Sequence, residues 1–184
     1  MLILVIGGSA SGKSEFAERL CCRLCPGQKY YIAAMQVYDA ESGRRVARHR
    51  RQRAGKGFAT IECQTELEQV KIQPGSSVLL ECLSNLTANE MFDADGRLKK
   101  YAGAAGSCDS AVNLLLEGIR SLSDQAEHLV IVTNQVFSDG IAYDASTAAY
   151  MRLLAALNNK AAAMADEVYE VVCGIPLRIK PYSA

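Results

Sequence analysis

No run of this sequence stays apolar for the roughly 20 residues that a membrane-spanning helix needs, so a chain anchored by such a helix is excluded. There is no net charge either. Twenty basic and twenty acidic side chains cancel, which removes the overall field that draws nucleic acid. The seven cysteines are odd in number and follow no disulfide spacing, so a disulfide-stapled secreted domain is not expected. Cys22-Arg23-Leu24-Cys25 is a lone CxxC with no second pair and no nearby histidine, too little for a zinc site. The apolar opening lacks a basic leader and breaks at Gly7-Gly8, which is not the build of a signal peptide. Internal repeats, low-complexity tracts and linkers are missing. What remains is the expectation of a cytoplasmic protein of one domain, residues 1–184. Its 49% apolar and 22% charged residues can form a core and a solvated surface.

The hydrophobic pattern alternates between short extended runs and helical stretches. Strands are predicted at 2–6, 29–33, 59–62, 78–82, 128–133, 167–173 and 177–180, the last two split by Gly174-Ile175-Pro176. Helices are predicted from about 12 to 24, 40–54, 83–92, 109–123 and 146–165. Residues 93–106, rich in Gly, Asp and Lys, read as the least ordered stretch. Strands alternating with helices predict an α/β three-layer domain: a mostly parallel sheet with helices on both faces and an antiparallel edge from the terminal strands.

Gly7-Gly8-Ser9-Ala10-Ser11-Gly12-Lys13-Ser14 matches the phosphate-binding loop pattern G-x-x-x-x-G-K-[ST] at every required position. Gly7 and Gly12 are expected to allow the backbone turns that point N–H groups at phosphate oxygens. The helix that follows directs its positive end at the same anion. Lys13 supplies a cation for the β- and γ-phosphates, and the Ser14 hydroxyl can ligate magnesium. Such a site needs an acidic residue at a neighbouring strand end. Glu81, closing Val78-Leu79-Leu80, is the first candidate, and Glu62 is a second.

Arg44, Arg45, Arg48, Arg50, Arg51 and Arg53 crowd around one of the two histidines, His49. On a helix Arg45, His49 and Arg53 recur at i, i+4 and i+8 and share a face flanked by Arg48 and Gln52. Neighbouring guanidiniums disfavour imidazolium and leave a neutral ring nitrogen able to attack phosphorus. The spacing fits a solvated basic face equally well. His128 opens an apolar strand and reads as a strand-end residue.

Taken together, these stretches resemble the bifunctional adenosylcobinamide kinase/adenosylcobinamide-phosphate guanylyltransferases of cobalamin biosynthesis. The resemblance rests on GGSASGKSEFAE within 2–18, Tyr31-Ile32-Ala33-Ala34, Arg45-Val46-Ala47-Arg48-His49-Arg50, and Leu79-Leu80-Glu81-Cys82-Leu83 with Asn89. Val132-Thr133-Asn134, Ala165-Asp166-Glu167-Val168 and Gly174-Ile175-Pro176 carry it toward the C-terminus. It implies a RecA-like P-loop NTPase fold and a histidine, His49, that becomes covalently guanylylated. It further implies a nucleotide site lined by Gly7, Gly8, Ser9, Ala10, Ser11, Gly12, Lys13, Ser14, Ala33, Ala34, Met35, Arg50, Arg51, Gln52, Arg53, Glu62 and Glu81. GTP, ATP and Mg2+ follow as cofactors, a corrinoid (cobinamide) as substrate, and a homotrimer as the assembly.

The sequence departs from the family pattern in places. Ala10 stands where relatives usually carry Arg, Gln135-Val136-Phe137 replaces Glu-Val-Gly, and Gly140-Ile141-Ala142-Tyr143 replaces Gly-Ile-Val-Pro. The arginine-rich helix is reduced to Tyr150-Met151-Arg152, and Asn158-Asn159 replaces Asn-Gln. These changes cluster in the C-terminal half and bear on corrinoid binding and the kinase step. Two other readings stay open: a P-loop kinase of another small metabolite, and a nucleotide-dependent switch. Against the switch, Asn134-Gln135-Val136-Phe137 lacks the Lys and Asp of a guanine-reading Asn-Lys-x-Asp.

Overall fold

The computed structural model describes residues 1–24, 27–37, 39–101, 109–136 and 140–181, and for Ser42, Arg45, His49 and Gln52 the backbone alone. Continuous apolar runs become strands β1 (Leu2–Gly7), β4 (Ser77–Glu81) and β5 (His128–Asn134) in the middle of one seven-stranded sheet. β2 (Lys29–Ala33) and β3 (Phe58–Glu62) extend it on one side, β6 (Glu167–Val172) and β7 (Ile175–Lys180) on the other. The order is β3-β2-β4-β5-β1-β6-β7. Six strands run parallel, and β7 returns antiparallel to β6.

A strand covered on both faces must be apolar at every position, and β1 shows the consequence. Leu2 and Leu4 point into a core shared with three helices, whereas Ile3 and Val5 point into a core on the opposite face. The first face is covered by α3 (Leu83–Phe92), α4 (Asp109–Gln125) and α5 (Ala145–Met164). The second is covered by α1 (Lys13–Leu24) through Phe16, Ala17, Leu20 and Cys21, a stripe at helical spacing. Truncating a fully buried member such as Leu80 or Ile119 to Ala costs about 2–5 kcal/mol. α2 (Ala40–Arg53) lies between β2 and β3 in the chain.

Most expected elements appear within two residues of their predicted ends. Cys82 leaves β4 to become the extended residue before α3. Asp144 caps α5, its carboxylate accepting from Ser146 N at 2.9 Å and Thr147 N at 3.0 Å, so the helix starts one residue early. At the other end of α5, Lys180 Nζ donates to the carbonyls of Ala162, Ala163 and Ala165. The terminal hairpin differs from expectation. Cys173 (φ 51°) and Gly174 (φ 80°) form the whole turn, and Ile175 and Pro176 already belong to β7. Proline is tolerated there because β7 is an edge strand.

Residues 93–101 are better tied down than their composition suggests. Leu98 is buried, and its N–H donates to Glu90 O at 2.7 Å. Arg97 bridges Glu90 and Glu68. Residues 102–108 lie outside the described residues.

Candidate active site

The phosphate loop joins the carboxyl end of β1 to α1, at the sheet's centre. Gly12 takes φ +89°, as expected for a backbone turned toward an anion. Gly7 is constrained differently. Its φ is not positive; instead an added Cβ would sit 2.7 Å from Val171 O and 2.6 Å from Ser11 Oγ. The β6–β7 hairpin therefore presses on the loop, and Gly174 N donates to Ser11 O at 2.8 Å. Ser9 and Ala10 are exposed, and Ala10 takes the left-handed φ of 56°.

Lys13 is buried, its Nζ donating to Gly8 O at 2.9 Å. Burial lowers the Lys13 pKa, and the neighbouring Cys82 and Glu81 only partly oppose this. Ser14 Oγ donates to Glu81 Oε1, and the Tyr31 hydroxyl donates to Glu81 Oε2 at 3.1 Å. Both oxygens of this carboxylate are thus held. The sheet order explains the meeting, because β5 alone separates β1 from β4. Ser14 and Glu81 are hard oxygen donors of the kind that hold Mg2+ beside triphosphate oxygens, a set that needs no all-protein cage. Among the described residues no cluster of three or more His, Cys, Asp or Glu could hold a metal by itself.

β2 brings a second group to the same end. The Arg53 guanidinium carbon lies 3.3 Å from the Tyr31 ring centroid, and Phe58 meets that ring edge-on at 6.4 Å. Arg53 is 8% exposed, and its Nη1 has no hydrogen-bond partner among the described residues. Burial first, then the charge of Glu81, push the Tyr31 hydroxyl far above the usual phenol range, so it stays a neutral donor. Ala33, Met35, Arg53 and Glu81 line a small recess with Tyr31. It adjoins an open cleft of about 370 Å³ with Met35, Gln36, Val46, Arg50, Glu62 and Asp93 on its walls.

Helix α2 faces these cavities with Val46, Arg50 and Arg53, at i, i+4 and i+7. By the same helical spacing, the backbone at position 49 lies on that side of α2, three residues from Val46 and four from Arg53. The side chains of His49, Arg45 and Gln52 lie outside the described residues. Arg50 Nη2 bonds Glu62 at 3.2 Å, an exposed pair of small energetic weight. Arg51 is exposed and lines neither cavity. Ala34 is fully buried, its N–H donating to Glu81 O at 3.0 Å and its carbonyl accepting from Asn89 Nδ2 at 2.8 Å. It shapes the strand end without offering a surface.

His128 begins β5, at the opposite end of the sheet from the phosphate loop, with Nε2 3.9 Å from Glu127. Cys21, Cys63 and Cys82 are buried thiols, Cys22 is half-buried and Cys173 is exposed; Cys25, Cys108 and Phe137 lie outside the described residues. Lys56, just beyond α2, pairs with the fully buried Glu18 of α1 and ties the two helices together. Sequence reasoning missed Tyr31 and the hairpin contact, because an aromatic strand residue and a distant turn carry no local signal for a phosphate site. Among the described residues no helix is long and apolar enough to cross a membrane.

Comparison with known proteins identifies the family of the chain. A family model described as cobinamide kinase / cobinamide phosphate guanyltransferase matches residues 3–179. The bifunctional adenosylcobalamin biosynthesis protein CobU of Escherichia coli is 34% identical, over 98% of this chain and 100% of that one. The protein of the same name from Salmonella typhimurium is 33% identical, again over 98% and 100%. The bifunctional adenosylcobalamin biosynthesis protein CobP of Pseudomonas aeruginosa is 27% identical over 96% of each. Among solved structures, an ATPase from a type III secretion system is similar at a TM-score of 0.56 and 10% identity, over 92% of this chain and 50% of that one. A second solved ATPase domain is similar at 0.50 and 7%, over 92% and 68%. These two likenesses concern the fold, which is RecA-like and of the P-loop class.

Proposed function

Because the chain belongs to the cobinamide kinase / cobinamide phosphate guanyltransferase family, we propose that it carries out both half-reactions within one domain, residues 1–184. In the first, the terminal hydroxyl of the aminopropanol arm of adenosylcobinamide attacks the γ-phosphorus of ATP or GTP. The bond to the β-bridging oxygen breaks, a nucleoside diphosphate leaves, and the hydroxyl loses its proton. In the second, a ring nitrogen of His49 attacks the α-phosphorus of GTP and pyrophosphate leaves. A phosphate oxygen of adenosylcobinamide phosphate then attacks the same phosphorus, the P–N bond breaks, and adenosylcobinamide-GDP is released with His49 restored. Covalent catalysis divides one difficult transfer into two in-line displacements.

The observation that carries this reading is the meeting of Lys13, Ser14 and Glu81 with Arg53 and the cleft side of α2 at one end of the sheet. Loop N–H groups from Gly7 to Ser14 hold the phosphates, and Lys13 neutralises them. Mg2+, ligated by Ser14 and Glu81 when present, supplies further neutralisation of phosphate charge. Ala33, Met35, Arg50, Arg53 and Glu62 line the guanylyl side, with Arg51 and Gln52 close by on the same helix. We place the enzyme in the cytoplasm. The edge strand β7 exposes Ile175, Leu177 and Ile179 in a single row, a surface suited to the subunit contacts of a homotrimer.

The test is incubation of purified protein with adenosylcobinamide, ATP, GTP and Mg2+, with the corrinoid products separated by chromatography. Adenosylcobinamide phosphate and then adenosylcobinamide-GDP are expected. Bound and hydrolysed triphosphate with neither corrinoid product would favour a kinase of another metabolite.

A further inference from the structure

Tyr31 holds a position that the two half-reactions leave unexplained. The residue is 4% exposed and touches two charged groups of the site, Glu81 and Arg53, by different atoms. The hydroxyl donates to Glu81 Oε2 at 3.1 Å, on the carboxylate whose other oxygen takes the Ser14 hydroxyl. The ring face lies 3.3 Å beneath the Arg53 guanidinium. Phe58 meets the ring edge-on, with the two centroids 6.4 Å apart. Glu81 belongs to β4, Arg53 to α2 and Tyr31 to β2.

We propose that Tyr31 is a positioning residue with two separable tasks: its hydroxyl orients Glu81 toward Ser14 and the metal, and its ring seats Arg53 for guanylyl transfer. This rests on the reading of Lys13, Ser14 and Glu81 as the phosphate and magnesium site. The hydroxyl fixes one carboxylate oxygen and so sets the direction of the other. A carboxylate without that anchor rotates, and oxygen ligands for Mg2+ must meet a narrow octahedral geometry. The ring acts on charge of the other sign. A guanidinium packed flat on an aromatic face is attracted by the ring quadrupole and loses torsional freedom. Arg53 thereby presents Nη1, which has no partner among the described residues, in a fixed direction.

The two tasks separate by substitution. Tyr31→Phe removes only the hydroxyl, whereas Tyr31→Leu removes the ring as well. In Tyr31→Phe, the Mg2+ concentration that supports half-maximal binding of a fluorescent GTP analogue should rise about tenfold, the worth of one hydrogen bond to a charged group. Its rate of GMP incorporation at saturating Mg2+ should stay within about twofold of wild type. Tyr31→Leu should show the same Mg2+ shift together with about tenfold slower GMP incorporation. In an Arg53→Gln background, Tyr31→Leu should slow incorporation no further, because the ring acts through Arg53. Thermal melts of Tyr31→Phe, which preserves the packing, keep the hydroxyl test readable if Tyr31→Leu fails to fold. An unchanged Mg2+ midpoint in Tyr31→Phe, or additive effects of the Leu and Gln substitutions, would overturn the proposal. Lys13→Ala serves as the reference: if it still binds the analogue normally, the phosphate site itself is misassigned and the role of Tyr31 falls with it.

Discussion

The hydroxyl of Ser14, on the first turn of α1, donates to Glu81 at the end of β4, although β5 lies between β4 and the strand that carries the phosphate loop. In the function proposed above, this pair is where triphosphate and Mg2+ would be held.

Lys13→Ala should reduce triphosphate binding by at least about 100-fold, since it removes a desolvated cation that faces phosphate. The fold should survive, because the hydrogen bond that Lys13 Nζ makes within the protein is to the loop carbonyl of Gly8 and not to the core. Titration with a fluorescent GTP analogue and a thermal melt check both halves. Near-normal binding would contradict the placement of the phosphates.

Acid should destabilise the protein through Glu90. Burial pushes this carboxyl up, but hydrogen bonds from Arg97 and from the N–H groups of Glu66 and Arg97 outweigh it and hold the pKa below the usual range. The stabilisation is therefore complete above the unfolded value of about 4.3 and is lost as pH falls through the folded one. Glu90→Gln should be less stable than wild type by about 1–3 kcal/mol at pH 7. The gap should narrow as pH falls below about 4. Denaturant melts of both proteins across that range measure it; a constant gap would contradict the assignment.

Guanylyl transfer should outpace phosphorylation. Two of the departures from the family pattern lie at the phosphate loop: Ala10 is part of it, and Gln135 N bonds Gly7 O at 3.1 Å. Phosphorylation of adenosylcobinamide should then be slower than guanylylation of its phosphate at matched concentrations. A faster kinase step would reverse this view of the C-terminal half.

Much of this arrangement was legible in the sequence. The buried strands announced themselves because a strand covered on both faces has no polar positions, and the P-loop motif placed Lys13 and Ser14 directly. Glu81 was found because an acidic residue ending an apolar run is conspicuous. The strand order, with β5 inserted between β1 and β4, left no local trace, since pairing partners are set by packing across the whole sheet. The constraint on Gly7 comes from Val171, near the other end of the chain, so only the fold reveals it. The hairpin turn was misplaced because Pro176 is the stronger turn signal, while Cys173 carries the left-handed φ that usually marks glycine or asparagine. Tyr31 looked like any strand aromatic. Its role depends on Arg53 and Glu81, which reach it from other elements.

The most direct test is a mass spectrum of the protein after incubation with GTP and Mg2+. The account predicts a mass gain of one GMP with release of pyrophosphate, mapped by peptide analysis to His49. The P–N bond should survive mild alkali and break in acid, where protonated nitrogen becomes a good leaving group. His49→Asn should lose the adduct while retaining triphosphate binding, because Asn keeps polarity without a nucleophilic ring nitrogen. GMP mapped to Lys13 or to any other lysine, or no adduct on protein that binds GTP, would contradict it.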